Sequence, residues 1–151
     1  MDTIEQYGEL LNALEFGKLE KILSAKPFKE MEDILYRLAY NPNTEESNLL
    51  VYTFMQNMMY KQESSTIHLS LSRLMGSILN HIEHAEQIGL YHGLRALELD
   101  PDNLAIKEYL LYYNHIPERL LADDKAIALA HEIVKVNPSS KAAAMTLGKL
   151  N

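Results

Sequence analysis

The stretch ALELDPDN, residues 96–103, decides how the chain is read. Ala96, Leu97 and Leu99 close an apolar helical pattern, Asp100 is a residue type that favours helix caps, and Pro101 brings a fixed φ suited to the first position of a new helix. The same device returns in KVNPSS, residues 135–140, where Asn137-Pro138 separates two further helical patterns. Pro101 and Pro138 stand 37 residues apart, which predicts an internal repeat of helix pairs.

Outward from these junctions, apolar residues recur at helical spacing along the whole chain and no segment alternates as a strand does, so the fold is predicted to be all-α. Asp2 with Glu5 suggests a capping box for a first helix marked by Ile4, Tyr7, Leu11 and Leu14, up to Gly17. A short helix over Lys18–Ala25 precedes Pro27, and Met31, Ile34, Leu35 and Leu38 then mark a helix ended by Asn41-Pro42. A central helix over about Thr44–Lys61 carries Leu50, Val51, Phe54, Met55, Met58 and Met59, the methionines reading as core filler. After the turn at Glu63-Ser64-Ser65 come a helix with Ile67, Leu71, Leu74, Met75 and Ile78 on its buried face and another from about Ile82 to Leu99. Ala85, Gly89, Gly93 and Ala96 form a stripe of small residues on the latter, and two glycines inside a helix require a neighbour at close approach. Helices to about Asn114, from Asp123 or Asp124 to Val136, and over Ser139–Leu150 complete the chain, with a break at Pro117.

The 151 residues, 47% hydrophobic and 23% charged, suit a single domain, 1–151, with N-terminal helices over 1–62 and paired helices over 63–151. There is no cysteine, which excludes disulfides, Cys-ligated zinc and thiol nucleophiles. The formal charge of −7 disfavours nucleic acid and anionic membrane as partners and suits a basic protein surface. The opening MDTIEQYGEL lacks the basic and apolar regions of a signal peptide, and no run approaches the roughly 18–20 apolar residues of a membrane span, so a cytoplasmic location is expected.

Over residues 66–151 the pattern resembles the tetratricopeptide (TPR) family, whose period is about 34 residues. ALELDPDN matches the end of a repeat, Ser77 and Gly89 fall at small-residue positions, and Ala126, Val136, Asn137 and Pro138 repeat the match, with Leu147-Gly148 opening a further unit. Arg73 stands at the usual tryptophan position, Gly93 at the usual phenylalanine, and the second unit carries about three extra residues around Pro117. The resemblance implies antiparallel hairpins stacked in a short right-handed array behind an N-terminal helical cap. It also implies a concave surface for a peptide or partner protein, lined by Glu108, Tyr112 and His115, then by Ala142, Met145 and Lys149. The corresponding Leu71, Leu74 and Ile78 are too apolar to face water, so the N-terminal helices are expected to cover them. Only Lys149 fits the family's carboxylate clamp.

Chemical motifs are sparse. His81, His84 and His92 could be imagined around a metal, but no third ligand has characteristic spacing, and Lys135 occupies the place of the second histidine after His131-Glu132. No serine sits in a nucleophile elbow and no phosphate-binding loop is present. Glu45-Glu46 and Asp123-Asp124 read as helix-start acids, and no cofactor is expected. Tyr109, Tyr112 and Tyr113 cannot share one face, so one of them should face outward. Glu83, Glu86, Glu98 and Asp102 offer a second, acidic face. In character the small acidic helical chain resembles bacterial immunity proteins, which implies a non-catalytic protein that neutralises a toxin, possible targets including a nuclease with a basic cleft. A TPR-like adaptor is the competing expectation, and a metal-dependent enzyme the third.

Overall fold

The computed structural model describes residues 3–150. It is all-α apart from one minimal sheet. The first helix, α1 (Ile4–Asn12), is capped by a box formed by Thr3 and Gln6, in which Thr3 N–H donates to Gln6 Oε1 at 2.8 Å and Gln6 N–H to Thr3 Oγ1 at 3.3 Å. The box expected at Asp2 and Glu5 is thus shifted by one residue, and Asp2 lies outside the described residues. Leu14, expected on the apolar face, is exposed with φ +59°, because it makes the tight turn into α2 (Phe16–Leu23). Next, α3 (Phe28–Ala39) runs into β1 (Tyr40–Asn41), which pairs antiparallel with β2 (Glu46–Ser47). That hairpin takes up residues assigned to the start of the central helix, so α4 spans Leu50–Lys61. Glu45, at φ +58°, and Glu46 belong to the hairpin and not to a helix start.

After Ser64, whose hydroxyl accepts from Ile67 N–H, α5 (Ser65–Arg73) passes into a π-helical turn (Leu74–Ile78). The expected single helix therefore loosens at its C-terminal third. Helix α6 (Ala85–Leu99) begins three residues later than expected, since His84 is left-handed at φ +66°. Then follow α7 (Leu104–Leu110), α8 (Tyr112–His115), α9 (Asp123–Val136) and α10 (Lys141–Leu150). The cap-and-proline junctions are real boundaries, but their parts differ from expectation. Asp100 and Asn137 are C-caps, and the next helix is capped three residues on, by Asn103 accepting from Ile106 N–H and by Ser140 accepting from Ala143 N–H. The spacing of 37 residues is kept by these caps. Each proline sits in the turn between, where its missing N–H costs nothing.

Two apolar clusters share the α5–α6 hairpin as a wall. Tyr7, Leu11, Leu19, Leu23, Leu35, Phe54 and Met55 pack against Leu71, Leu74 and Met75 on one side, so the N-terminal helices cover the apolar positions that needed covering. On the other side Ala96 joins Ile106, Leu110, Tyr113, Ala126, Ala130 and Ile133. Polar contacts tie the first side down: the Tyr36 hydroxyl donates to Ser70 O at 2.7 Å, and Arg73 reaches the buried Glu32 at 3.4 Å. No described helix is long and apolar enough to cross a membrane.

The small-residue stripe is explained where α5 and α6 meet α7 and α8. Ser72 Oγ donates to Gly89 O at 2.6 Å and lies 2.9 and 3.2 Å from the hydroxyls of Tyr109 and Tyr113. A Cβ on Gly89 would stand 2.5 Å from the Tyr113 hydroxyl and 3.1 Å from both Gly76 N and Ser72 O. On Gly93 it would meet Leu110 Cδ2 at 2.8 Å, and on Gly76 it would strike the Tyr113 hydroxyl. Two of the atoms around Gly89 are backbone, so they cannot swing aside. Gly89→Ala should therefore cost about 1–3 kcal/mol in urea unfolding. Gly148→Ala, with open space around it, should be neutral or stabilising by about 0.5–1 kcal/mol. Equal effects at the two positions would contradict this account of the crossing.

Candidate functional site

Of the residues expected to line a concave surface, Glu108 on α7 and His115 on α8 reach the last helical pair. Glu108 accepts from Ser140 Oγ at 2.6 Å, and His115 Nε2 lies 3.0 Å from Thr146 Oγ1. These bonds join neighbouring helices, so Glu108 and His115 spend their polar atoms inside the protein. Burial, followed by the charges of Lys149 and Arg119, holds the His115 imidazole below its ordinary range. Ala142 is half-buried, whereas Met145 is 62% exposed and Tyr112 40% exposed. Tyr113 is fully buried and Tyr109 partly so, making Tyr112 the outward tyrosine of the three.

The four acidic residues do not form one face. Glu86 and Glu98 lie about 18 Å apart along α6 by helical rise, and Glu98 is engaged by Arg95 at 2.8 Å. Asp102 is exposed in the turn after α6. Glu83 and Glu86 instead line a shallow pocket with Asn80, Ile82, His84, Gln87 and Glu118. Glu118 comes from the extra residues around Pro117. That loop folds back because buried Asn114 donates to Leu121 O at 2.9 Å and to Asp123 Oδ1 at 2.8 Å, while Leu121 N–H donates to Tyr113 O at 3.0 Å. Partial burial raises the Glu86 carboxyl above its ordinary value, and the neighbouring Glu118 raises it further. The same two carboxylates, after burial, raise the Tyr112 phenol. Neither Glu86 nor Glu118 takes part in an ion pair among the described residues. The result is a pair of like charges beside a half-exposed tyrosine, an arrangement that a cationic side chain would relieve.

The three histidines noted in sequence go to three different places. His81 Nε2 lies 2.6 Å from Ser47 Oγ, exposed His84 pairs with Glu83 at 3.4 Å, and His92 is buried. No group of three metal-ligating side chains occurs among the described residues. What sequence reasoning missed is His68, which lies in α5 under α6. Its Nδ1 is 2.9 Å from His92 Nδ1 and its Nε2 is 2.8 Å from Glu63. The row extends at both ends: Tyr52 Oη is 2.8 Å from His92 Nε2, and Arg95 donates to Glu63 at 2.7 and 3.1 Å. Arg95 and then His68 hold the Glu63 carboxyl down at about 2. Burial, then the neighbouring His68, lowers the His92 imidazole to about 4.

Compared with known proteins, the chain matches no family model, no curated protein and no solved structure.

Because the folded chain keeps His92 neutral, unfolding adds a proton site of ordinary affinity. The stabilisation from neutral His92 is complete above about pH 6.5 and declines as pH falls from there towards 4. The melting temperature should fall across that interval, and His92→Gln should flatten the fall. A wild-type melting temperature that stays level between pH 6.5 and 4.5 would contradict this.

Proposed function

We propose that this protein is a non-catalytic binding protein whose partner presents a basic protein surface, and that it acts as an immunity protein neutralising a toxin domain. The observation that carries the reading is the pair Glu86 and Glu118, carboxylates with no ion-pair partner among the described residues, beside the half-exposed Tyr112. A tyrosine flanked by charge is the kind of side chain that dominates binding energy at interfaces, and unpaired carboxylates steer and orient a basic partner. The net charge of −7 acts in the same direction at longer range. A nuclease, whose cleft must attract phosphate, offers the matching surface.

The repeat spacing, the helix hairpins and the caps at Asn103 and Ser140 support a TPR-like arrangement for residues 66–151. An adaptor that holds a peptide is the second reading, favoured by the exposure of Tyr112 and Met145 on the groove helices. The bonds already made by Glu108 and His115 leave it few polar groups with which to grip a peptide backbone.

Capture from lysate of the native host, at low and moderate salt, separates the two. The neutralising reading expects one stoichiometric basic protein whose activity the complex suppresses. Glu86→Lys with Glu118→Lys should weaken that complex at least tenfold, since like charges then meet across the interface. Several partners sharing one short segment, lost with Tyr112→Ala but kept by the charge reversals, would establish the adaptor instead.

A further inference from the structure

The row from Gln56 through the buried His92 and His68 to Glu63 has a direction. Two nitrogens facing each other as His68 Nδ1 and His92 Nδ1 do need one proton between them. An ionised carboxylate only accepts, so His68 Nε2, 2.8 Å from Glu63, carries a proton. With the pair neutral, His68 Nδ1 is bare and His92 Nδ1–H donates to it. His92 Nε2 then accepts from the Tyr52 hydroxyl, whose oxygen accepts from Gln56 Nε2 at 3.1 Å. Each bond points from Gln56 towards Glu63. The one cost is at the start of the row, where the Gln56 carbonyl oxygen is buried with no partner among the described residues.

We infer that this row is a proton-operated switch, in which one proton taken up by the His68–His92 pair reverses the hydrogen bonds from His68 back to Gln56. The Nδ1 proton of His92 crosses to His68, which becomes imidazolium and donates to both Glu63 and His92. His92 Nε2 takes the hydroxyl proton of Tyr52 and now donates to the Tyr52 oxygen. Tyr52 takes the incoming proton and donates it to the Gln56 carbonyl, the amide having turned over, which carries its NH2 group into the place the oxygen leaves. The pair holds two protons before and three after, and no bond other than those to hydrogen changes.

The surrounding charges favour one added proton and oppose two. Glu63 and Glu98 both engage Arg95, which sets two carboxylates against one guanidinium and leaves Glu63 to balance an imidazolium at His68. The other titratable groups facing the pair are phenols: Tyr52 from α4, with Tyr60 beyond it, and Tyr91, stacked edge-on against His92, from α6. None of them balances a second charge at His92. The reversed end opens on a shallow surface pocket lined by Phe16, Tyr52, Thr53, Gln56, Asn57 and Tyr60, so protonation changes what that surface offers a neighbour.

Long-range proton–nitrogen NMR of the imidazoles in the full chain, from pH 8 to 5, tests the switch. At pH 8 the protons should lie on His68 Nε2 and His92 Nδ1. On acidification His68 should become doubly protonated while His92 exchanges to the Nε2–H form, both with one midpoint. Glu63→Gln, at an exposed position whose folding is checked by circular dichroism, should lower that midpoint by about one pH unit or more. A His92 that keeps its Nδ1 proton throughout, two separate midpoints, or a folded Glu63→Gln protein with an unmoved midpoint would overturn the proposal.

Discussion

The fold depends on the contact between the backbone of α6 at Gly89 and the backbone of α5 and its π turn. Only without a side chain at Gly89 can Ser72 O and Gly76 N come so near, and only then does the Tyr113 hydroxyl fit into the crossing from the far side. Ser72 satisfies that crossing with a single hydroxyl, donating to Gly89 O and receiving the two tyrosines. Burial raises the Tyr113 phenol well above its ordinary value, so it remains a neutral donor there. The two apolar clusters are thereby held to a common wall, and the loop carrying Glu118 is set against α6 through Tyr113 O and Asn114. The candidate interface is thus positioned by the same residue that fills the crossing.

Two of the three departures from the expected repeat pattern have physical reasons. At Gly93 bulk would collide with Leu110 and Ser72, and the ring of Tyr109 from the following helix packs there. At Arg73, a guanidinium faces the N-terminal helices and meets buried Glu32 next to Tyr36. That polar tie lies on the side of α5 that the N-terminal helices cover.

Much of the helical order could be read from apolar spacing, since the pattern reports which face is buried. The caps were harder. Asp100 and Asn137 have the chemistry of helix starts, yet each closes the preceding helix, while the starting caps are Asn103 and Ser140. Short polar residues cluster at both ends of a turn, and composition alone does not order them. The hairpin at Tyr40–Ser47 escaped because two paired residues per strand leave no alternation to detect. At the site, Tyr112, Met145 and Glu86 were visible as types, whereas Glu118 was hidden in what looked like a mere insertion. His68 gave no signal at all: its pairing with His92 spans 24 residues and arises only when α5 and α6 pack.

The shared wall also sets an order of assembly. Helices α5 and α6 are neighbours in sequence, as are α9 and α10, so each pair closes a short loop at small entropic cost. The bonds between Ser72 and Tyr113 and between Tyr36 and Ser70 join residues 41 and 34 positions apart, and they form only after the pairs exist. The α5–α6 pair is the surface on which both flanks condense. A nucleus in the middle of the chain, from which order spreads outward, is the course of folding expected from this topology.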